Sequence, residues 1–185
     1  MLKTLILTLG TLIIATVAAG QAKAASPANT LYIELSTGGT VTVELLPDRA
    51  PAHVERVKTL ARDGFYDGIV FHRVIAGFMA QTGDPTGTGT SGSDLPDLHD
   101  EFTNYDYKRG TIGAATSGPH TANSQFFICF TDRSCKHLNG KHSVWGQVIE
   151  GMEHVDKTAK RPTQSKQHTI VKMWVGSDVA PVSDQ

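Results

Sequence analysis

Residues 71–83, reading FHRVIAGFMAQTG, set one permanent cation, Arg73, and one amide, Gln81, among Phe71, Val74, Ile75, Phe78 and Met79. In a strand, alternate residues share a face. The pattern therefore points Phe71, Arg73 and Ile75 one way, and the Ala76-Gly77 break resets the register before Phe78. The expected product is an apolar pocket with a guanidinium at its rim. An arginine in an apolar strand more often lies along a surface on its own aliphatic stem, but a second stretch carries a matching set. In residues 123–129, NSQFFIC, alternation places Gln125, Phe127 and Cys129 on one face and Phe126 and Ile128 on the other. Gln125 and Phe127 are thereby expected to line the same pocket as Arg73.

Other chemistries find weaker support. There are eight histidines, but no G-x-S-x-G elbow and no H-E-x-x-H, so hydrolysis is a distant alternative. Gly87 to Gly92 satisfies G-x-G-x-x-G, yet no parallel strand immediately precedes it, and Asp94, Pro96 and Asp97 stand where a helix should begin. Asp94, Asp97, His99, Asp100 and Glu101 could suggest a metal, but no second ligand set has metal-like spacing and turn-forming carboxylates explain them better. What remains is a cation, two glutamines, aromatic rings and sulfur, with neither a nucleophile nor a cofactor motif. No cofactor and no metal are expected.

The elements that must position these groups are short. Residues 31–36 and 41–45 alternate about a Thr37-Gly38-Gly39-Thr40 turn, which predicts a hairpin with one buried face. Val54, Val57, Leu60 and Ala61 recur at helical spacing between a Pro51 start and an Asp63-Gly64 stop. Residues 83–96 turn to Gly, Thr, Ser, Asp and Pro and predict an irregular loop. Strands follow over 110–115, 144–149 and 168–175, and Met152, Val155 and Ala159 predict a second helix within 150–160. An antiparallel barrel or sandwich with helices over its ends fits this order.

The chain has 185 residues, 17 basic against 18 acidic, and 39% hydrophobic content, which describes one globular domain without the basic footprint of a nucleic-acid binder. Its first 24 residues read as a signal peptide. Lys3 precedes an apolar run interrupted by Thr8, Gly10, Thr11 and Thr16, and Ala22-Lys23-Ala24 is a small-x-small cleavage pattern. The run is too short and too broken for an anchor, so stable membrane insertion is not expected after its removal. Residues 25–185 then form the single domain, with a core at about 29–176, acting in the periplasm or outside the cell. Cys129 and Cys135 are the only cysteines. The apolar run around Cys129 favours a buried free thiol, and export would permit a bridge.

Four motifs in register, Phe71-His72-Arg73-Val74-Ile75, Phe78-Met79-Ala80-Gln81, Gln125-Phe126-Phe127-Ile128 and Leu138-Asn139-Gly140-Lys141-His142, resemble those of the cyclophilin family of peptidyl-prolyl cis/trans isomerases, in an exported, bacterial-like form. The resemblance implies a mainly β fold, a closed eight-stranded antiparallel barrel capped by two helices. It implies Arg73, Gln81, Phe127 and His142 as catalytic residues. Phe78, Met79 and Leu138 join Phe127 around the proline ring, and Gln81 with Gln125 would bond the peptide backbone. Gly87, Ala115 and Thr116 would lie in the groove, Thr116 standing where many members have asparagine. His137 stands where cyclosporin-sensitive members have tryptophan, so weak cyclosporin binding is expected from the loss of an indole donor and its contact area. The implied partners are proline-containing polypeptides and unfolded exported proteins, the expected state is a monomer, and the alternative is a non-catalytic proline-peptide binding or chaperone module.

Overall fold

The computed structural model describes residues 25–160 and 167–178. The expected signal peptide, 1–24, lies outside them. Strands β1 (Thr30–Leu35) and β2 (Gly39–Leu45) form the predicted hairpin, with Leu31 opposite Val43 and Ile33 opposite Val41. Leu31, Ile33 and Leu35 with Val41, Val43 and Leu45 point inward, so the hairpin delivers one apolar face. Helix α1 (Pro51–Arg62) begins with proline at its first position, where a missing N–H costs nothing. Ala50 offers no side-chain cap, and Glu101 supplies one from a distant loop. Its carboxylate accepts from the N–H groups of Ala52 and His53, each at 3.1 Å, and from His53 Nδ1 at 2.6 Å.

The remaining strands are β3 (Arg73–Ile75), β4 (Met79–Thr82), β5 (Thr111–Ala114), β6 (Phe126–Cys129), β7 (Val144–Glu150) and β8 (Ile170–Val175). All eight join one antiparallel sheet in the order β3-β4-β6-β5-β7-β2-β1-β8. The sheet curls into a half-barrel. Its terminal strands are not paired with each other, but the segments ahead of them meet at a Val70–Thr169 bridge and through Phe71 N–H donating to His168 C=O at 2.8 Å. Besides the two expected helices, α1 and α3 (Met152–Asp156), the chain forms a one-turn helix α2 (Asp132–Cys135). Thr131 caps it by accepting from Ser134 N–H at 3.2 Å. No helix among the described residues is long and apolar enough to cross a membrane.

Alternation along β6 separates two apolar clusters. Phe126 and Ile128 enter the main core, where Phe126 meets Tyr66 and Trp145 edge to face at 5.7 and 5.3 Å. Phe127 and Cys129 join a smaller cluster with Met79, Tyr107, Cys135 and Val144. Two expectations change here. Phe71 does not share a face with Arg73 and Ile75: it precedes β3, is 2% exposed and belongs to the main core, while Arg73 and Ile75 are exposed. Cys129 is not a free thiol, because α2 brings Cys135 to a Cα separation of 6.2 Å and the two are bridged.

Candidate active site

The β3–β4 hairpin sets Arg73 opposite Gln81, and β6 sets Phe127 on the other side of Gln81. These pairings open a cleft of about 140 Å³ on the small apolar cluster, lined by Arg73, Phe78, Met79, Gln81, Ala115, Thr116, Phe127, Leu138 and His142. The structure thus brings nine of the expected residues around one cavity. A second groove of about 290 Å³ shares Gln81, Ala115 and Thr116 with it and is lined further along by Gly89, Ser91, Asn123 and Gln125.

The polar rim is oriented by a relay of hydrogen bonds. Ser91 C=O can only accept, and it takes a bond from Gln125 Nε2 at 2.7 Å. That turns Gln125 Oε1 toward Gln81 Nε2 at 3.0 Å, which turns Gln81 Oε1 toward Arg73 Nη1 at 3.3 Å. Arg73 Nη1 also lies 3.9 Å from Met79 Sδ. Among the described residues no carboxylate pairs with Arg73, so the guanidinium lines the cleft without a competing anion.

Ser91 is held in turn by Asp84, which is fully buried and accepts from the N–H groups of Thr86, Gly89 and Ser91 at 2.7, 2.6 and 3.2 Å. Burial pushes the Asp84 carboxyl up, but bonds from the Thr86 hydroxyl and these three amides outweigh it and bring it to about 2. It is ionised at neutral pH and fastens the loop. The apolar wall is equally organised. Phe127 meets the His142 ring edge to face at 5.4 Å, and His142 Nδ1 bonds Ala114 C=O at 3.1 Å. Burial lowers the His142 pKa, only partly offset by that bond, so the ring is neutral at pH 7 and Nδ1–H is the donor.

Two expected residues fall elsewhere. Gly87 is not in the cleft or the adjoining groove. It faces Val70 in a separate depression beside Phe65 and Asp84, because the Asp84-centred turn presents Gly89 to Gly92 to the groove instead. His137 is exposed, does not line the cleft and lies against Phe78, with ring centroids 5.3 Å apart. Tyr107 and Asp84 were not among the expected residues. The relevant signals were an aromatic within an irregular stretch and a lone acid at the head of a Gly-Thr loop.

Residues 30–175 match the model of the family described as cyclophilin type peptidyl-prolyl cis-trans isomerase/CLD. The chain is 48% identical over 151 residues to probable peptidyl-prolyl cis-trans isomerases of Brucella suis and Brucella melitensis, an overlap of 75% of this chain and 76% of each relative. It is 41% identical over 132 residues to peptidyl-prolyl cis-trans isomerase-like 3 of Rattus norvegicus, covering 69% of this chain and 81% of that protein. Among solved structures, a Cryptosporidium parvum cyclophilin type isomerase crystallised in the presence of the dipeptide Ala-Pro aligns with a TM-score of 0.72 at 29% identity, covering 79% of this chain and 98% of that one. Cyclophilin AquaCyp293 from Hirschia baltica aligns with a TM-score of 0.74 at 25% identity, covering 85% and 77% respectively. The chain belongs to the cyclophilin family. Its enzyme class is peptidyl-prolyl cis-trans isomerase.

Proposed function

We propose that the cleft of about 140 Å³ takes the proline ring of a polypeptide and that Arg73 catalyses rotation about the preceding peptide bond. The observation that carries this reading is the convergence of an arginine without a carboxylate partner, Gln81 oriented by Gln125 from the adjoining groove, and the Phe127 ring on one small cavity. A peptide bond resists rotation by about 18–20 kcal/mol because nitrogen donates its lone pair into the carbonyl. At the twisted geometry that lone pair returns to nitrogen and becomes a hydrogen-bond acceptor. A guanidinium aimed at it therefore binds the transition state better than either ground state, and the barrier falls without any covalent bond breaking. Phe78, Met79, Phe127 and Leu138 hold the ring, His142 closes the wall, and Gln81 and Gln125 engage the backbone on either side.

Arg73→Ala is expected to lose most turnover, on the order of 10²–10³-fold, as removal of a single transition-state donor does. Peptide affinity should change far less. Equal turnover in variant and wild type sinks the reading. A non-catalytic binding module would have no use for a guanidinium free of ion pairing at the ring's edge, and it predicts affinity without acceleration.

We further propose a barrel closed at the Val70–Thr169 seam, and exported clients in the periplasm or outside the cell. The Lys3 and apolar leader pattern supports export, and the Cys129–Cys135 bridge is compatible with an oxidising compartment. Mass measurement of the protein isolated from its host should find it beginning near Ala25, and an intact Met1 start would contradict export by cleavage. Cyclosporin should bind weakly, because exposed His137 offers less contact area than an indole; a submicromolar inhibition constant would overturn this.

A further inference from the structure

Phe127 lines the cleft, yet its place in β6 does not by itself set the plane or depth of its ring. Tyr107 does. Their rings are stacked with centroids 5.8 Å apart and planes inclined by only 19°. Tyr107 is 3% exposed although it lies in a segment without regular structure. It is pinned at both ends: its N–H donates to Asn139 Oδ1 at 2.9 Å, and its hydroxyl donates to His142 C=O at 3.4 Å. Burial raises the phenol well above its ordinary pKa, which keeps that hydroxyl a donor. One side chain thus backs Phe127 and ties it to the turn carrying Leu138 and His142.

The room for Tyr107 is made on the neighbouring strand. Gly113 of β5 pairs with Phe127 of β6. A Cβ at Gly113 would overlap the Tyr107 hydroxyl and lie 2.6 Å from Phe127 Cζ. Gly113 does not have the left-handed backbone that favours glycine. The residue is required for space, and the space is filled by Tyr107.

We propose that Tyr107 and Gly113 form a positioning pair that sets the depth of the cleft, and through it the preference for a five-membered prolyl ring over a six-membered pipecolyl ring. This rests on the reading of Phe127 as the floor of the proline site. Backed by Tyr107, the Phe127 ring cannot retreat to admit another methylene. With a smaller residue behind it, the ring tilts back and the cleft deepens. A side chain at 113 has the opposite effect, driving the Tyr107–Phe127 stack toward the opening.

The test measures dissociation constants of two peptides that differ only in Ala-Pro against Ala-pipecolyl, for wild type, Tyr107→Leu, Tyr107→Phe and Gly113→Ala. Wild type should prefer the prolyl peptide by about tenfold or more, the range for one methylene in an apolar pocket. Tyr107→Leu should erase most of that preference, whereas Tyr107→Phe, which keeps the stacked ring, should retain it. Gly113→Ala should weaken both peptides. A Tyr107→Leu protein that melts lower but keeps the wild-type ratio shows a purely structural residue and overturns the proposal. So does a folded Gly113→Ala protein with wild-type affinity, which keeps the proposal open to refutation if the leucine variant does not fold. If wild type itself binds no prolyl peptide, the reading of the cleft fails instead.

Discussion

Phe126 and Phe127 are neighbours in β6 and almost equally buried, 1% and 6% exposed, yet they belong to different parts of the molecule. Phe126 enters a core closed on every side by Tyr66, Trp145 and the inward faces of the hairpin. Phe127 lies in a cluster whose outer surface is left open beside the Arg73 guanidinium and the Gln81 amide. One strand therefore sends Phe126 and Ile128 into the main core and Phe127 to the cleft, because side chains alternate across a sheet. The difference teaches that burial alone does not separate a core residue from a site residue. What separates them is what stands on the far side of the ring.

The comparison breaks most visibly at Phe126. Phe126→Ala should cost about 3–5 kcal/mol in a denaturant titration, since its cavity has no route to water, while the folded fraction keeps near wild-type turnover. A loss below about 1 kcal/mol would show that the core readily collapses around the gap. Phe127→Ala sharpens the contrast: peptide affinity should fall by about tenfold or more, the equivalent of burying a phenyl ring. Its stability loss should be the smaller of the two, because the cleft side opens to solvent. If the two variants lose stability equally and peptide affinity is untouched, the division of β6 is wrong.

Asp84 gives a smaller effect. It is buried like a core residue but serves the groove through Ser91. Its carboxyl sits at about 2, below the ordinary value. Its stabilisation is therefore complete above about pH 4 and lost as pH falls toward 2, amounting to about 2 kcal/mol. Urea midpoints between pH 2 and 5 should show that slope in wild type and a reduced one in Asp84→Asn. An identical slope in both proteins assigns the acid sensitivity elsewhere.

Much of this was legible in the sequence where a period could be counted. The first hairpin, helix α1 and the alternation of β6 follow from residues such as Leu31, Ile33, Val54 and Val57, whose spacing is itself the structural signal. Arg73 and Gln81 were legible as the cation and the amide of one apolar stretch, but the place of Phe71 was not, since β3 starts only at Arg73 and alternation does not extend back past it. The bridge between Cys129 and Cys135 depended on a four-residue helix too short to leave a periodic trace. Gly87 and Gly89 are indistinguishable by composition, and only the bonds converging on Asp84 decide which faces the groove. Tyr107 escaped for the same reason: its partners Phe127, Asn139 and His142 are all distant in sequence.

The most direct test of the account is exchange spectroscopy on an Ala-Pro peptide titrated against the enzyme, which reads the cis/trans rate on the enzyme and the affinity from one series, for wild type and Arg73→Ala. The account predicts rapid exchange with wild type and loss of nearly all of it in the variant, with affinity little changed. Equal exchange rates in the two would contradict it.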